Sequence, residues 1–228
     1  MIERLRHGLV VSCQAWPDSP LHNPVYMAVM AEAAAKGGAA GIRANGADDI
    51  RAIRQRVSLP IIGIQKSYDA AGELWITATC EEAGTVARSG ADIIAVDSRR
   101  AERPDGSHLG DLFAWVQDQL RLPVMADIAA FDEAVRAQAL GADLVATTFA
   151  IQDRESPDFD LLHRLTQNLT IPVIAEGLYW TPAEVCRALD LGAFAVVVGT
   201  AITRPDDITR RFVAAIQGPP SPEPGEGA

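Results

Sequence analysis

Lysine is almost missing from this chain: among 228 residues only Lys36 and Lys66 are lysine. Bases are outnumbered by acids, 20 against 30, and the formal net charge is -10. No Lys/Arg cluster is present that could neutralise phosphates along a duplex, which argues against general nucleic-acid binding. An acidic surface still admits a small anionic substrate, because backbone N–H groups hold phosphate without a local excess of base. Cysteine is scarce as well. Cys13, Cys80 and Cys186 are an odd set with no CxxC spacing, as expected for reduced thiols in a cytoplasmic protein. No stretch of about 18 apolar residues occurs, so no membrane span is expected. The opening MIERLRH leads into no long apolar segment, so no secretory signal is expected either. The four histidines (His7, His22, His108 and His163) are scattered, and neither HExxH nor HxxxH occurs. Nothing in the pattern calls for a metal or a nucleotide cofactor.

What is present is a repeated shape. Pro172–Gly177 reads PVIAEG: a short apolar run ending in a carboxylate and a glycine. A buried parallel strand delivers one ionisable group to a site in this way. The shape returns at Pro60–Lys66 (PIIGIQK), Ile93–Asp97 (IIAVD) and Pro123–Asp127 (PVMAD). The eight predicted strands are Gly8–Cys13, Ala39–Ile42, Pro60–Ile64, Asp92–Asp97, Val124–Asp127, Asp143–Thr147, Pro172–Glu176 and Phe194–Gly199. A helical segment follows each, including Val25–Lys36, Asp48–Arg56, Glu81–Ser89, Leu109–Leu120 and Pro205–Ile216. A brief extended piece at Leu74–Thr77 interrupts the third unit. Gly37-Gly38-Ala39, Gly90-Ala91-Asp92, Gly141-Ala142-Asp143 and Gly192-Ala193 hold the same place in four units: glycine closes the helix, and alanine packs against the next strand. Eight such units predict a single α/β domain, a closed (β/α)8 TIM barrel over residues 1–217. Residues 218–228, rich in proline and glycine with no apolar anchor, read as a disordered tail.

In such a barrel the carboxyl ends of the strands meet at one face, where the chemistry resides. Gln14, Arg43, Lys66, Asp97, Asp127, Thr147, Glu176 and Gly199 fall at or just past those ends. Lys66 stands out, because the run before it is too apolar for a sheet edge. In a partly dry site a lysine pKa falls, making the amine a usable base or, alternatively, a Schiff-base nucleophile. Glu176 is a candidate acid or base beside it, and Asp127 or Asp97 could fix the lysine or accept hydroxyls. Gly177, Gly199 and Thr200 follow the last two strands, where backbone N–H groups can cradle phosphate. Arg204 and Arg43 are available for a second anionic or carbonyl contact.

Taken in order, GLVVSCQ (8–14), GIRAN (41–45), GIQK (63–66), MADI (125–128), AEG (175–177) and GTAITRP (199–205) resemble the N-acylglucosamine-6-phosphate 2-epimerase family, also called N-acetylmannosamine-6-phosphate 2-epimerase. The resemblance implies a cofactor-free barrel that interconverts N-acetylmannosamine 6-phosphate and N-acetylglucosamine 6-phosphate in sialic acid use. It implies Lys66 and Glu176 as catalytic residues and Gln14, Arg43, Asp127 and Arg204 as substrate contacts. Gly177, Gly199 and Thr200 become the phosphate-binding backbone. The chain departs from the family where relatives read GIIKRDY, with Ser67 in place of arginine. It departs again at Ser98-Arg99 (relatives often read DAT from the position of Asp97), at Phe149–Gln152, and at Leu178, where arginine is common. Inversion at C2 is explained more simply by one group that removes the C2 proton and another that returns one on the opposite face than by a single base that swings across the plane. Rival expectations are another phosphosugar isomerase, aldolase or decarboxylase, or a barrel that binds a sugar phosphate without turnover. The expected partner is the small phosphosugar; small acidic barrels often pair, so a homodimer is a candidate assembly.

Overall fold

The computed structural model describes residues 1–217. Ten strands run in chain order: β1 (Leu9–Cys13), β2 (Gly41–Asn45), β3 (Ile61–Ile64), β4 (Lys66–Tyr68), β5 (Leu74–Ile76), β6 (Ile93–Asp97), β7 (Val124–Asp127), β8 (Leu144–Ala146), β9 (Val173–Glu176) and β10 (Ala195–Val198). The helices are α1 (Pro24–Lys36), α2 (Ala47–Arg54), α3 (Cys80–Arg88), α4 (Leu109–Trp115), α5 (Phe131–Ala139), α6 (Phe159–Asn168), α7 (Pro182–Asp190), α8 (Thr200–Thr203) and α9 (Pro205–Gln217). Eight strands close a parallel barrel in the order β1-β2-β3-β6-β7-β8-β9-β10, with β10 returning to β1. The (β/α)8 barrel expected from the repeat is therefore present.

The strands read as near-continuous apolar runs because both faces are covered. Val10, Ile62, Ile64, Ile93, Ala95, Met125, Leu144, Ile174 and Val197 fill the barrel interior. Their neighbours, such as Ile61, Ile94, Val96, Val124, Val145, Val173 and Val196, face the helices. The alternation is the two-residue period of a strand. Leu5, on a 3-10 turn at Ile2–Leu5, joins the interior group from below. The helix-to-strand turns work as their sequence suggests: Gly38, Gly90, Gly141 and Gly192 all have positive φ, between 91° and 106°, a conformation that a Cβ disfavours.

Four local readings are corrected. The second strand is Gly41–Asn45, not Ala39–Ile42, so Arg43 lies within it. Its charge does not end the strand because carboxylates from β7 and β9 neutralise it inside the barrel. The sixth strand shortens to Leu144–Ala146. The fourth helix changes at Trp115 into a π-helical turn, Val116–Leu120, and stops at Arg121 in the left-handed conformation (φ 57°). Lys66 is not the far end of β3. It opens β4, which pairs antiparallel with β5 in a hairpin raised from the barrel. Finally, α9 has an apolar side but no buried residue: Phe212 is 69% exposed and Ile216 84%. The expected tail, 218–228, lies outside the described residues.

Candidate active site

A cavity of about 300 Å³ opens at the carboxyl ends of the strands. Of the residues expected there, Gln14, Lys66, Glu176, Gly177, Gly199, Thr200 and Arg204 line it. Arg43 and Asp127 do not; they lie just beneath, with almost no exposed surface. Arg43 grips Asp127 with both ends of its fork (Nη1–Oδ1 3.0 Å, Nη2–Oδ2 2.5 Å), and Nη1 also donates to Glu176 Oε2 at 2.8 Å. The bidentate geometry suits guanidinium and carboxylate. It turns a buried charge cluster into a platform for Glu176. Asp97 is turned elsewhere: it is fully buried and paired with Arg99.

Sequence reasoning missed two contributors, Thr148 and Trp16. Thr148 bridges the two acids, 2.7 Å from Asp127 Oδ1 and 3.2 Å from Glu176 Oε2. Thr147, expected as a strand-end group, holds backbone: its hydroxyl accepts from Glu176 N–H (2.9 Å) and sits 2.8 Å from Glu176 O. Trp16 lies at the cavity edge, with Lys66 Nζ 4.8 Å and Arg204 Cζ 4.7 Å from its ring centre. Such cation–π contacts leave no spacing signature in a sequence. Gln14 gives its amide N–H to Ser12 Oγ (2.8 Å), while its Oε1 is buried with no partner among the described residues. One wall is apolar, with Leu74, Phe149, Ile151 and Leu178.

Gly177 is required by its surroundings. Its φ is 107°, and a Cβ there would stand 2.6 Å from Ile151 Cγ2. Leu178, the next residue, also has positive φ (62°), a strained conformation for a side-chain-bearing residue. Gly199 precedes α8 and packs against Ser12. Arg204, just after α8, is 3.6 Å from Asp207.

The electrostatics bring the two candidates toward neutrality from opposite sides. Burial, together with the positive charges of Arg43 and Arg204, lowers the Lys66 pKa to about 8, against the pull of Glu176 and Asp127. Burial raises the Glu176 pKa to about 7; Arg43 opposes this and the Asp127 charge adds to it. Burial also works against the Arg43 charge, but Asp127 and Glu176 outweigh it and hold the guanidinium protonated. A pair of groups with pKa values this close to neutrality can give and take protons at physiological pH. Among the described residues no group of His, Cys, Asp or Glu is arranged to hold a metal ion, and no helix is long and apolar enough to cross a membrane.

Comparison with known proteins gives a consistent picture. A family model described as "Putative N-acetylmannosamine-6-phosphate epimerase" matches residues 27–218. A relative from Caldanaerobacter subterraneus subsp. tengcongensis, which carries that description as a 2-epimerase, is 47% identical over 224 residues, covering 95% of this chain and 94% of its own. The solved structure of the N-acetylmannosamine-6-phosphate 2-epimerase from Clostridium perfringens superposes with a TM-score of 0.89 at 42% identity, covering 93% of this chain and 95% of that one. Thiamine phosphate pyrophosphorylase from Pyrococcus furiosus, at 16% identity and a TM-score of 0.61, shares the fold alone (95% of this chain, 99% of that one).

Proposed function

The chain belongs to the N-acetylmannosamine-6-phosphate epimerase family, and we propose that it inverts C2 of N-acetylmannosamine 6-phosphate to give N-acetylglucosamine 6-phosphate by proton transfer through Lys66 and Glu176, without a cofactor. The observation that carries this mechanism is that both groups line one cavity with pKa values displaced toward neutrality. The C2 proton is acidic only when C1 is a free carbonyl, so the sugar reacts in its open form. One of the pair takes the C2 proton, and the C–H electrons pass to the C1 oxygen as an enolate. The other member gives a proton to the opposite face of C2. After each turnover the donor and acceptor have exchanged roles, and proton exchange with solvent resets them. Gln14, with its free Oε1, and Arg204 are the substrate contacts. Arg43 and Asp127 act from below, holding Glu176 and supplying the local field. Phosphate sits on the backbone of Gly177, Gly199 and Thr200, and its binding energy aligns the distant C2.

The test is proton NMR of N-acetylmannosamine 6-phosphate with the protein in D2O, beside Lys66→Ala and Glu176→Ala. N-acetylglucosamine 6-phosphate carrying deuterium at C2, absent with both variants, is the expected result. No product and no exchange at C2 would reject this substrate, and a borohydride-trapped adduct on Lys66 would indicate a Schiff-base enzyme instead.

A second copy of the chain is the proposed partner. Phe212, Val213 and Ile216 on α9 are exposed, as are Val25, Tyr26 and Val29 on α1, while residues 218–228 contain no large apolar side chain to cover them. Sedimentation should give a dimer that Phe212→Asp weakens; a monomer at micromolar concentration refutes this.

A further inference from the structure

Lys66 leaves the barrel on a hairpin, and a hairpin only three residue pairs long is marginal by itself. What fixes it lies at its base. Thr77, the first residue after β5, donates its N–H to Gln65 O at 2.7 Å and accepts the Gln65 N–H on its own Oγ1 at 3.1 Å. The residue before Lys66 is therefore clasped on both backbone groups by one threonine. From the other side Asn45, the last residue of β2, accepts the Lys66 N–H on Oδ1 at 2.8 Å. Thr77 is completely buried and sits in the left-handed conformation with φ 48°. For a β-branched residue that is a true outlier, held only where the surrounding structure over-determines it. The strain is imposed from the next residue: Ala78 O accepts from the buried Arg103 Nε (3.0 Å), and Ala78 N–H donates to Glu82 Oε2 (2.5 Å). A loop that merely joined β5 to α3 would have no need of a strained threonine, since glycine fits this conformation freely. The hydroxyl is what glycine lacks.

We infer that Thr77 is a positioning residue for the reaction: held in a strained conformation, it clasps Gln65 so that Lys66, with its amide pinned by Asn45, presents its amine to the cavity at a fixed place. The inference deepens the mechanism proposed above and rests on Lys66 acting there. Thr77 does not line the cavity.

The test compares Thr77→Ser, which keeps the hydroxyl, with Thr77→Gly, which keeps the backbone conformation, relieves the strain and loses the hydroxyl. Two readouts are taken: steady-state epimerisation, and titration of Lys66 by NMR after ¹³C reductive methylation. The second is tractable because Lys36 is the only other lysine. Thr77→Gly should lower kcat by about 10- to 100-fold, as expected for misplacement of a reacting group by about 1 Å, with KM nearly unchanged. Its Lys66 titration should move back toward that of an exposed lysine, while its melting temperature holds. Thr77→Ser should stay within about threefold of the parent in kcat and keep its titration. A Thr77→Gly protein with parental kcat and parental Lys66 titration overturns the inference. So does an equal loss in Thr77→Ser, which would assign the effect to the methyl group. Failure of the underlying mechanism is separately visible: Lys66→Met would remain active, whereas the titration of Lys66 in the Thr77 variants reports the clasp without any turnover.

Discussion

Replacing Lys66 by methionine should make the protein more stable, by an amount that pH can erase. The side chain keeps its length and its place against Trp16 but loses its charge. In the folded protein burial and the neighbouring arginines bring the Lys66 pKa from 10.5 to about 8. The ammonium form is therefore worse placed in the folded chain than in the unfolded one. Two and a half pH units at 1.36 kcal/mol each amount to about 3 kcal/mol. The sign follows from proton counts. Below pH 8 both states hold the proton, and the folded state bears the full penalty. Between about 8 and 10.5 the folded state releases it while the unfolded state keeps it, so the penalty shrinks; above 10.5 it is gone. Lys66→Met should thus gain about 3 kcal/mol at pH 7, read as roughly 6–12 °C in melting temperature for a domain of this size. The gain should fade as pH rises through 8 to 10.5. Urea unfolding of both proteins at matched concentration across that range is the assay, with Lys36→Met as the exposed control, whose pairing with Glu32 is worth little. A Lys66→Met protein no more stable than its parent at pH 7, or a gain that persists above pH 10.5, refutes the argument that Lys66 is held there with a depressed pKa.

Turnover should peak between pH 7 and 8, since below about 7 both Glu176 and Lys66 carry protons and no base remains, and above about 8 both have lost them and no acid remains; a flat kcat/KM profile from pH 6 to 9 contradicts this. Arg43→Met strands Asp127 and Glu176 together, so it should cost about 3–5 kcal/mol in unfolding experiments. If it folds, both limbs of the pH profile should move upward, because Arg43 lowers the pKa of Glu176 and of Lys66 alike. Gly63→Ala would place a Cβ 2.4 Å from Val86 Cγ1 and 2.5 Å from Ala91 Cβ; a loss of about 1–3 kcal/mol is expected from this overpacking, partly restored by Val86→Ala.

The barrel was legible because its signals are local and repeated. A glycine in the left-handed conformation before each of four strands needs only its neighbours to be understood, and strands covered on both faces must be apolar throughout. The placing of Lys66 and Glu176 at the cavity was legible for the same reason, each being the lone charge after an apolar run. Arg43 was misjudged because its meaning is not local. A charge after two apolar residues reads as a strand end, and only Asp127 and Glu176, 84 and 133 positions away, make it a residue of the interior. Thr77 was hidden more deeply. Local preference places a β-branched residue in extended backbone, and its actual conformation is set by Arg103 and Glu82 acting on the residue beside it. Thr148 and Trp16 likewise matter only through partners brought near by the closed barrel. The division has a physical cause. Positions that build the scaffold obey short-range rules, so each unit states them again. The positions around Lys66 and Glu176 work through charges and hydrogen bonds gathered from separate strands, and the proposed proton transfer would draw on a side chain held against its own backbone preference. At Arg43 and at Thr77 a local rule is overridden by partners distant in the chain, Asp127 and Glu176 in the one case and Arg103 in the other.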